Sequence, residues 1–325
     1  MKICLYGVGA VGGLIGARLA AAGHALNAVA RGATLEALQR DGLGLETAEG
    51  RRHFPISAVA DPAVLGEQDL VIVAVKQPAL AAVAAAIGPL IGPHTRVLVA
   101  MNGVPWWFFD GLPGPLAGAT LHSVDPAGDL RSRIPTAQVI GCVVHIACNT
   151  PAPGVCRLGF GNGLILGDAL GGPPSAATRA AAELLAGAGL DVRLSDGIQR
   201  DIWYKLWGNM TMNPVSAITG ATSDRILDDP LVNAFCVAVM EEAAAVGERI
   251  GCPVAQTPQA RNAVTRELGA MRTSMLQDVE AGRALEIDAL LGVVVEIAGK
   301  AGVAVPNASA LLGLVRLFGR VRGLY

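Results

Sequence analysis

The N-terminal stretch MKICLYGVGAVGGLIGARLAAAG constrains the fold of this chain more than any other. Lys2 to Tyr6 are apolar and extended-leaning, and Gly7, Gly9 and Gly12 form GxGxxG. Leu14 to Ala22 continue as a small, apolar, helix-favouring run. Strand, tight glycine turn and helix in immediate succession form the phosphate-binding unit of dinucleotide sites. Gly7 permits the sharp turn, Gly9 lets a pyrophosphate approach the backbone, and Gly12 lets helix and strand pack closely. The free N–H groups at the start of the helix then face the phosphates. Gly7, Val8, Gly9, Ala10, Val11 and Gly12 are therefore the expected cofactor cradle.

An N-terminal Lys before an apolar run also occurs in secretory signals, but here the run is broken by glycines and by Arg18, and no small-residue cleavage site follows. No membrane span is expected. The most apolar region, Pro78 to Leu98, contains Pro89, Pro93, His94 and Arg96. A net charge of -2 with no Lys/Arg cluster leaves no electrostatic footprint for nucleic acid or anionic lipid. The 6 cysteines show no CxxC pairing, and several lie in strand-like apolar runs. They read as reduced core thiols of a cytoplasmic protein, with no metal site.

At 325 residues and 52% hydrophobic composition, two domains with substantial cores are expected. His24 to Ala30 reads as a second strand ending at Arg31. Where an acid at this place would take a ribose 2′-hydroxyl, an arginine suits a 2′-phosphate, so NADP(H) is favoured over NAD(H). Leu43 to Glu46 and His53 to Val59 read as short strands, Asp69 to Val75 as a buried strand ending at Lys76, and Arg96 to Ala100 as a strand leading to Asn102 and Gly103. Arg31, Lys76 and Asn102 thus fall beyond the carboxyl ends of strands, where ligands collect in a doubly wound sheet. Leu116 to Val124, Gln138 to Ile146, Gly154 to Leu158 and Gly163 to Gly167 read as further strands with no helix between them, closing the sheet antiparallel.

The first domain is expected to span residues 1–170, with a hinge at Gly171 to Pro174. A helical domain follows over 171–325, with helices at Ala176 to Ala188, Ile198 to Ile218, Pro230 to Ile250, Pro258 to Glu280, Ile287 to Lys300 and Asn307 to Val321. Within it the segment DIWYKLWGNMTMNP, Asp201 to Pro214, carries a polar stripe. Lys205, Asn209 and Asn213 recur every fourth residue and so share one helix face, with Trp, Leu and Met around the rest. A helix apolar on nearly every side is buried, and a lysine on it is expected to lose solvation, to titrate low and to give up a proton near neutral pH. The alternative is a Lys205 that snorkels to solvent. Pro214 interrupts the hydrogen bonding of the preceding turn. Further on, TSMLQDVEAGRALEID places Ser274 near a helical run and Glu286 at the start of the next helix, where an acid also suits the helix dipole.

Taken together, GVGAVGG, Arg31, Lys76, Asn102-Gly103, KLWGNMTMNP from Lys205, and SMLQD with EID from Ser274 to Asp288 resemble the ketopantoate reductase family in order and approximate spacing. The resemblance implies a Rossmann-type α/β domain joined to an all-helical C-terminal domain with the active site in the cleft between them. It implies NADPH-dependent reduction of 2-dehydropantoate to pantoate on the way to pantothenate. Lys205 would then be the general acid, and Asn209, Asn213 and Ser274 would hold the substrate's hydroxyl and carboxylate. Asn102 would lie between nicotinamide and substrate, Glu286 would contact cofactor or substrate, and Lys76 would approach the cofactor's ribose or the substrate.

The chain departs from the family pattern at Met101, at the Lys76-Gln77-Pro78 run, and at Ser223, which stands where a substrate-binding Asn is expected and is read here as its shorter replacement. VPWWFF, Val104 to Phe109, is unusually aromatic. These changes put the substrate in question. The alternatives are an NADPH-dependent reductase of another small 2-keto acid and a non-enzymatic NADPH-binding regulator. A helix-rich, apolar C-terminal domain is compatible with a homodimer, which nothing in the sequence fixes.

Overall fold

The computed structural model describes residues 1–325. Its contacts group the chain into two compact units, Met1–Asn102 with Gly128–Asp201, and Gly103–Ala127 with Ile202–Tyr325. This differs from a single cut after residue 170. The helix and strand that follow Pro174 belong with the sheet, and residues 103–127 belong with the helices.

The first unit is built on a 10-stranded sheet. β1 (Ile3–Tyr6), β2 (Leu26–Val29), β3 (Leu43–Thr47), β4 (Gly50–Phe54), β5 (Ser57–Val59), β6 (Leu70–Val73), β7 (Arg96–Ala100), β8 (Val139–Ala152), β9 (Val155–Asp168) and β10 (Asp191–Leu194) supply its strands. The stretch β5-β2-β1-β6-β7-β8 is parallel throughout. Counted along the chain it is the 3-2-1-4-5-6 order of dinucleotide-binding sheets, whose direction of winding reverses at β1/β6. Alternate residues of a strand fall on opposite faces. Here both Ile3 and Leu5 on one face and Cys4 on the other are at most 1% exposed, so helices or loops cover the sheet on both sides.

α1 (Ala10–Ala21) packs on β9, β3 and β8, and its apolar side chains Leu14, Ile15 and Leu19 are fully buried. α2 (Gly32–Asp41), α3 (Leu80–Ala86), α4 (Asp129–Arg133) and α5 (Ala176–Gly187) complete the unit. α2, α3 and the short α4 were not expected. The closing strands β8 and β9 are antiparallel as expected, but each runs unbroken for 14 residues, with the register shifting where Gly161 turns to a φ of +74°. The expected strand at 53–59 is two: Pro55 interrupts it, so β4 pairs antiparallel with β3 while β5 pairs parallel with β2.

The second unit is helical. α6 (Ile198–Thr219) begins in the last residues of the first unit's sequence, and α7 (Ser223–Asp228), α8 (Pro230–Arg249), α9 (Pro258–Arg266), α10 (Ser274–Glu280), α11 (Val293–Ala301) and α12 (Pro306–Val321) follow. Where one helix was expected over 258–280 there are two, because Gly269 takes a φ of +62° and Thr273 caps a fresh start by accepting from the Leu276 N–H. A π-turn, Asp288–Gly292, precedes α11. α8 is the one helix long and apolar enough to cross a membrane, with mean hydropathy 1.4. In this fold its buried residues Cys236, Val239, Met240 and Ala243 pack among α7, α9, α11 and α12.

Residues 116–124, expected as a strand, form turns. Pro113 and Pro115 remove backbone donors, and Gly118 at a φ of +72° returns its N–H to the Phe109 carbonyl at 2.8 Å. The aromatic run before it is core: Trp106, Trp107, Phe108 and Phe109 are all at most 1% exposed, and the Phe108 ring lies 6.2 Å from that of Trp203. Of the cysteines, five are buried and Cys148 is half-buried. Burial pushes the Cys4, Cys148 and Cys236 thiols up to about 12, which leaves them protonated and unreactive at neutral pH.

Candidate functional site

Gly7 ends β1 with a φ of +96°, a conformation that excludes other residues. A side chain there would also meet Val75 Cγ1 at 2.5 Å. A Cβ at Gly12 would fall 2.1 Å from the Gly7 carbonyl oxygen and 2.9 Å from the Ala74 Cβ, so α1 sits against the strand ends only because Gly12 has none. Gly9 is different, since nothing of the protein lies within 4 Å of a Cβ built on it. The first i→i−4 bond of α1 runs from the Gly13 N–H to the Gly9 carbonyl at 2.8 Å, which leaves the N–H groups of Ala10, Val11 and Gly12 without helical acceptors. No side chain caps them and no acid lies in the first turn. An open approach over Gly9 and a row of unused donors fit a diphosphate.

Beside this turn the carboxyl ends of β1, β2, β5 and β6 enclose a cavity of about 300 Å³. Tyr6, Gly9, Arg31, Thr34, Ala60 and Val75 are among its lining residues. Arg31 is exposed, stands at the N-cap of α2 in extended conformation, and makes no ion pair with any acid. The first turn of α2 has no acidic residue and presents Thr34 to the same cavity. A guanidinium, a hydroxyl and a helix N-terminus around one space suit a dianionic 2′-phosphate. Thr34 escaped the sequence reading. Its signal was its place three residues after Arg31, legible only once α2 is known to start there. Burial holds the Tyr6 phenol above its usual range, with Arg31 opposing that shift, so the wall it forms stays neutral.

Lys76 follows β6, is exposed and caps a short 3-10 turn, Gln77–Ala79. Asn102, half-buried, follows β7. Since β7, β6, β1 and β2 are parallel neighbours, Asn102, Lys76, Gly7 and Arg31 stand on one edge of the sheet. Three strand spacings separate its ends, about 14 Å. The rim expected from the three strand ends therefore forms.

In the helical unit, α6 carries Lys205, Asn209 and Asn213 on neighbouring turns. Trp203, Leu206, Trp207, Met210 and Met212 around the remaining faces are buried, and the Trp207 indole N–H donates to the Met240 carbonyl at 2.7 Å. These anchors set the rotation of the helix, and so the direction of the stripe. Asn213 is 6% exposed, whereas Lys205 and Asn209 are half-buried. Lys205 therefore keeps part of its solvation, and the expectation of a fully buried lysine does not hold. The helix runs through Pro214, which has no N–H to give the Met210 carbonyl.

Ser274 is the exposed first residue of α10, beside the buried cap Thr273. Glu286, 9% exposed, directly precedes the helical turn that enters the π-turn. That turn is braced by Asp288, which receives Arg316 Nη2 at 2.5 Å and the Tyr325 hydroxyl at 2.9 Å. Its Ala289 carbonyl accepts from the Val104 N–H at 3.0 Å, and a Cβ at Gly103 would lie 2.2 Å from the same oxygen. Gly103 is thus required for the loop to meet the π-turn.

Ser223 is turned into the interior of the helical unit. It is 0% exposed, its hydroxyl donates to the Gly269 carbonyl at 2.8 Å and accepts from the Met271 N–H at 3.2 Å. The side chain ties α7 to the α9–α10 connection and is closed to any ligand, which corrects its reading as a substrate-binding residue. The aromatic run 104–109, buried in the core, likewise offers no ring to a substrate.

The ketopantoate reductase PanE/ApbA family model matches residues 3–171, and its C-terminal counterpart matches residues 197–318. The 2-dehydropantoate 2-reductase of Mesorhizobium japonicum is 42% identical over 326 residues, which cover 100% of each chain. A solved structure from Ralstonia solanacearum superposes with a TM-score of 0.96 at 60% identity, covering 100% of this chain and 99% of that one. A PanE/ApbA family ketopantoate reductase from Ralstonia eutropha gives a TM-score of 0.85 at 30% identity over 99% of this chain and 100% of its own. With the reversed-order parallel sheet, the glycine cradle and the stripe on α6 already in place, these matches show that the chain belongs to the ketopantoate reductase family.

Proposed function

We propose that this protein is an NADPH-dependent 2-dehydropantoate 2-reductase, which reduces ketopantoate to pantoate on the route to pantothenate. The observation that carries the reading is the Lys205, Asn209 and Asn213 stripe on α6, held in direction by buried Trp and Met anchors. NADPH, when bound, supplies the hydride. The N–H groups of Ala10, Val11 and Gly12 would hold its diphosphate and Arg31 with Thr34 its 2′-phosphate, and Lys76 and Asn102 would be the residues of the sheet edge nearest its ribose and nicotinamide. Lys205 Nζ donates to the ketone oxygen, stabilises the charge that develops there as the carbon accepts hydride, and transfers its proton to form the alcohol. Water then reprotonates the amine. Asn209 and Asn213 hold the polar groups of the substrate without adding charge, and Ser274 and Glu286 complete its surroundings.

A second reading, reduction of a different small 2-keto acid, is favoured by Ser223: its hydroxyl is spent inside the helical unit, so no amide reaches the substrate from this position. Steady-state oxidation of NADPH with ketopantoate and a panel of 2-keto acids separates the two. Ketopantoate giving the highest kcat/KM supports the first reading, and ketopantoate no better than the rest overturns it in favour of the second.

A further inference from the structure

The carboxyl end of β1 carries a tyrosine where its two neighbours carry valines. Tyr6 pairs in register with Val29 of β2 and Val73 of β6, so the three side chains form one row on the face opposite Ile3 and Leu5. Val29 and Val73 are buried, whereas Tyr6 is half-buried and lines the cavity beside the glycine turn. Its hydroxyl has no hydrogen-bond partner in the protein. A tyrosine that lays its ring on a sheet usually finds a partner for its hydroxyl, and a third valine would complete this row with no hydroxyl to satisfy.

The rest of the cavity narrows what that partner is. Val29, Ala60, Val75, Ala82 and Ala86 give it apolar walls, and its only polar side chains are Tyr6, Arg31 and Thr34. At about 300 Å³ it is at the small end of ligand sites, with room for one end of a dinucleotide. With the diphosphate at the glycine turn and the 2′-phosphate at Arg31 and Thr34, that end is the adenosine. Small apolar walls suit the two faces of a flat purine, but its edge is polar. Adenine joins its ribose at N9, and the opposite edge carries N1, an acceptor, and the 6-amino group, a donor. A hydroxyl serves either. Arg31 is near enough to act on the Tyr6 phenol, yet burial outweighs it and keeps the phenol protonated at neutral pH.

We propose that Tyr6 recognises the adenine of the cofactor, its hydroxyl bonded to the N1 and 6-amino edge, and so sets affinity for NADPH and NADH alike. Arg31, by contrast, separates the two. The inference rests on the cofactor half of the reading above and is independent of which keto acid is reduced.

The test titrates full-length wild type and Y6F, without substrate, with NADPH, NADH and the ethenoadenine derivative of NADPH, in which a two-carbon bridge covers that edge of the base. Tyr6→Phe is expected to weaken NADPH and NADH by the same factor, roughly 3- to 10-fold, the share of one neutral hydrogen bond. It should bind the etheno derivative as the wild type does, since the covered edge gives the hydroxyl nothing to meet. A role confined to holding the glycine turn predicts instead that all three ligands weaken together, and that result overturns the inference. So does an unchanged affinity for NADPH, and so does a loss for NADPH alone, which would move the hydroxyl to the 2′-phosphate. A wild type that binds neither NADPH nor NADH overturns the cofactor reading and this inference with it.

Discussion

Gly9 and Gly12, two of the three glycines of the cradle, make opposite predictions when each is given a single methyl group. At Gly12 the added Cβ would lie 2.1 Å from the Gly7 carbonyl oxygen, where ordinary contact begins at 3.4 Å, so α1 would have to withdraw by about 1.3 Å. The obstacle is backbone, and it cannot swing aside as a flexible side chain would. The residues that would have to follow, Leu14 and Ile15 among them, are fully buried against the sheet. Overpacking of this kind costs about 2–3 kcal/mol, at the upper end of the usual range because the helix moves as a unit. For a chain of this size that lowers Tm by roughly 5–10 °C.

Gly9→Ala meets nothing within 4 Å and keeps an extended backbone that alanine adopts freely. Its stability should change by no more than about 0.5 kcal/mol, while the methyl occupies the path of the diphosphate. Thermal unfolding of each variant without cofactor, followed by NADPH titration, reads both effects. Gly12→Ala is expected to lose stability and affinity together, and Gly9→Ala to lose affinity alone. A Gly9→Ala protein as destabilised as Gly12→Ala, or one that binds NADPH like the wild type, would refute the reasoning.

Arg31→Ala should weaken NADPH by roughly 10- to 100-fold and NADH hardly at all, because only the 2′-phosphate meets the guanidinium; equal losses for both cofactors would remove Arg31 from that role. Glu296 on α11 predicts an acid-labile staple. It receives the His122 and Ser123 N–H groups at 2.9 and 2.8 Å and the Ser123 hydroxyl at 2.6 Å. Burial pushes its pKa up, but those bonds and the nearby Lys300 outweigh it and hold the carboxyl below the usual glutamate range. The folded state then binds fewer protons than the unfolded one at acid pH. Its stabilisation is present above the ordinary glutamate value and is lost as pH falls through the lowered one. Unfolding followed against pH should show Glu296→Gln with a shallower acid loss than wild type, and superimposable curves would contradict it.

Much of the nucleotide half was legible because its constraints are local. GxGxxG needs only its own glycines, β7 was legible as the apolar run between the Pro93–Thr95 turn and Asn102-Gly103, and the strand ends at Arg31, Lys76 and Asn102 are single polar residues after apolar runs. Among the long helices, α6 was legible from its polar stripe at four-residue spacing in an apolar run, and α8 and α12 from the prolines that open them, Pro230 and Pro306. What failed depended on partners distant in sequence. Leu116 to Val124 has the composition of a strand, but its chain reversals at Gly114 and Gly118 place it among helices. Ser223 looked like a substitution at a binding position, yet its hydroxyl is committed to Gly269 and Met271, more than forty residues away. The half-burial of Lys205 was equally hidden, since periodicity reports which face a residue occupies and not how much solvent reaches that face.

The most direct measurement is reduction of ketopantoate by NADPH with Lys205→Ala beside the wild type, with cofactor affinity determined for both. The account predicts an active wild type, a kcat lower by roughly 10²- to 10⁴-fold in the variant, the range of general acid catalysis, and the same NADPH affinity. A variant that turns over ketopantoate as fast as the wild type, with NADPH bound equally well, would contradict it.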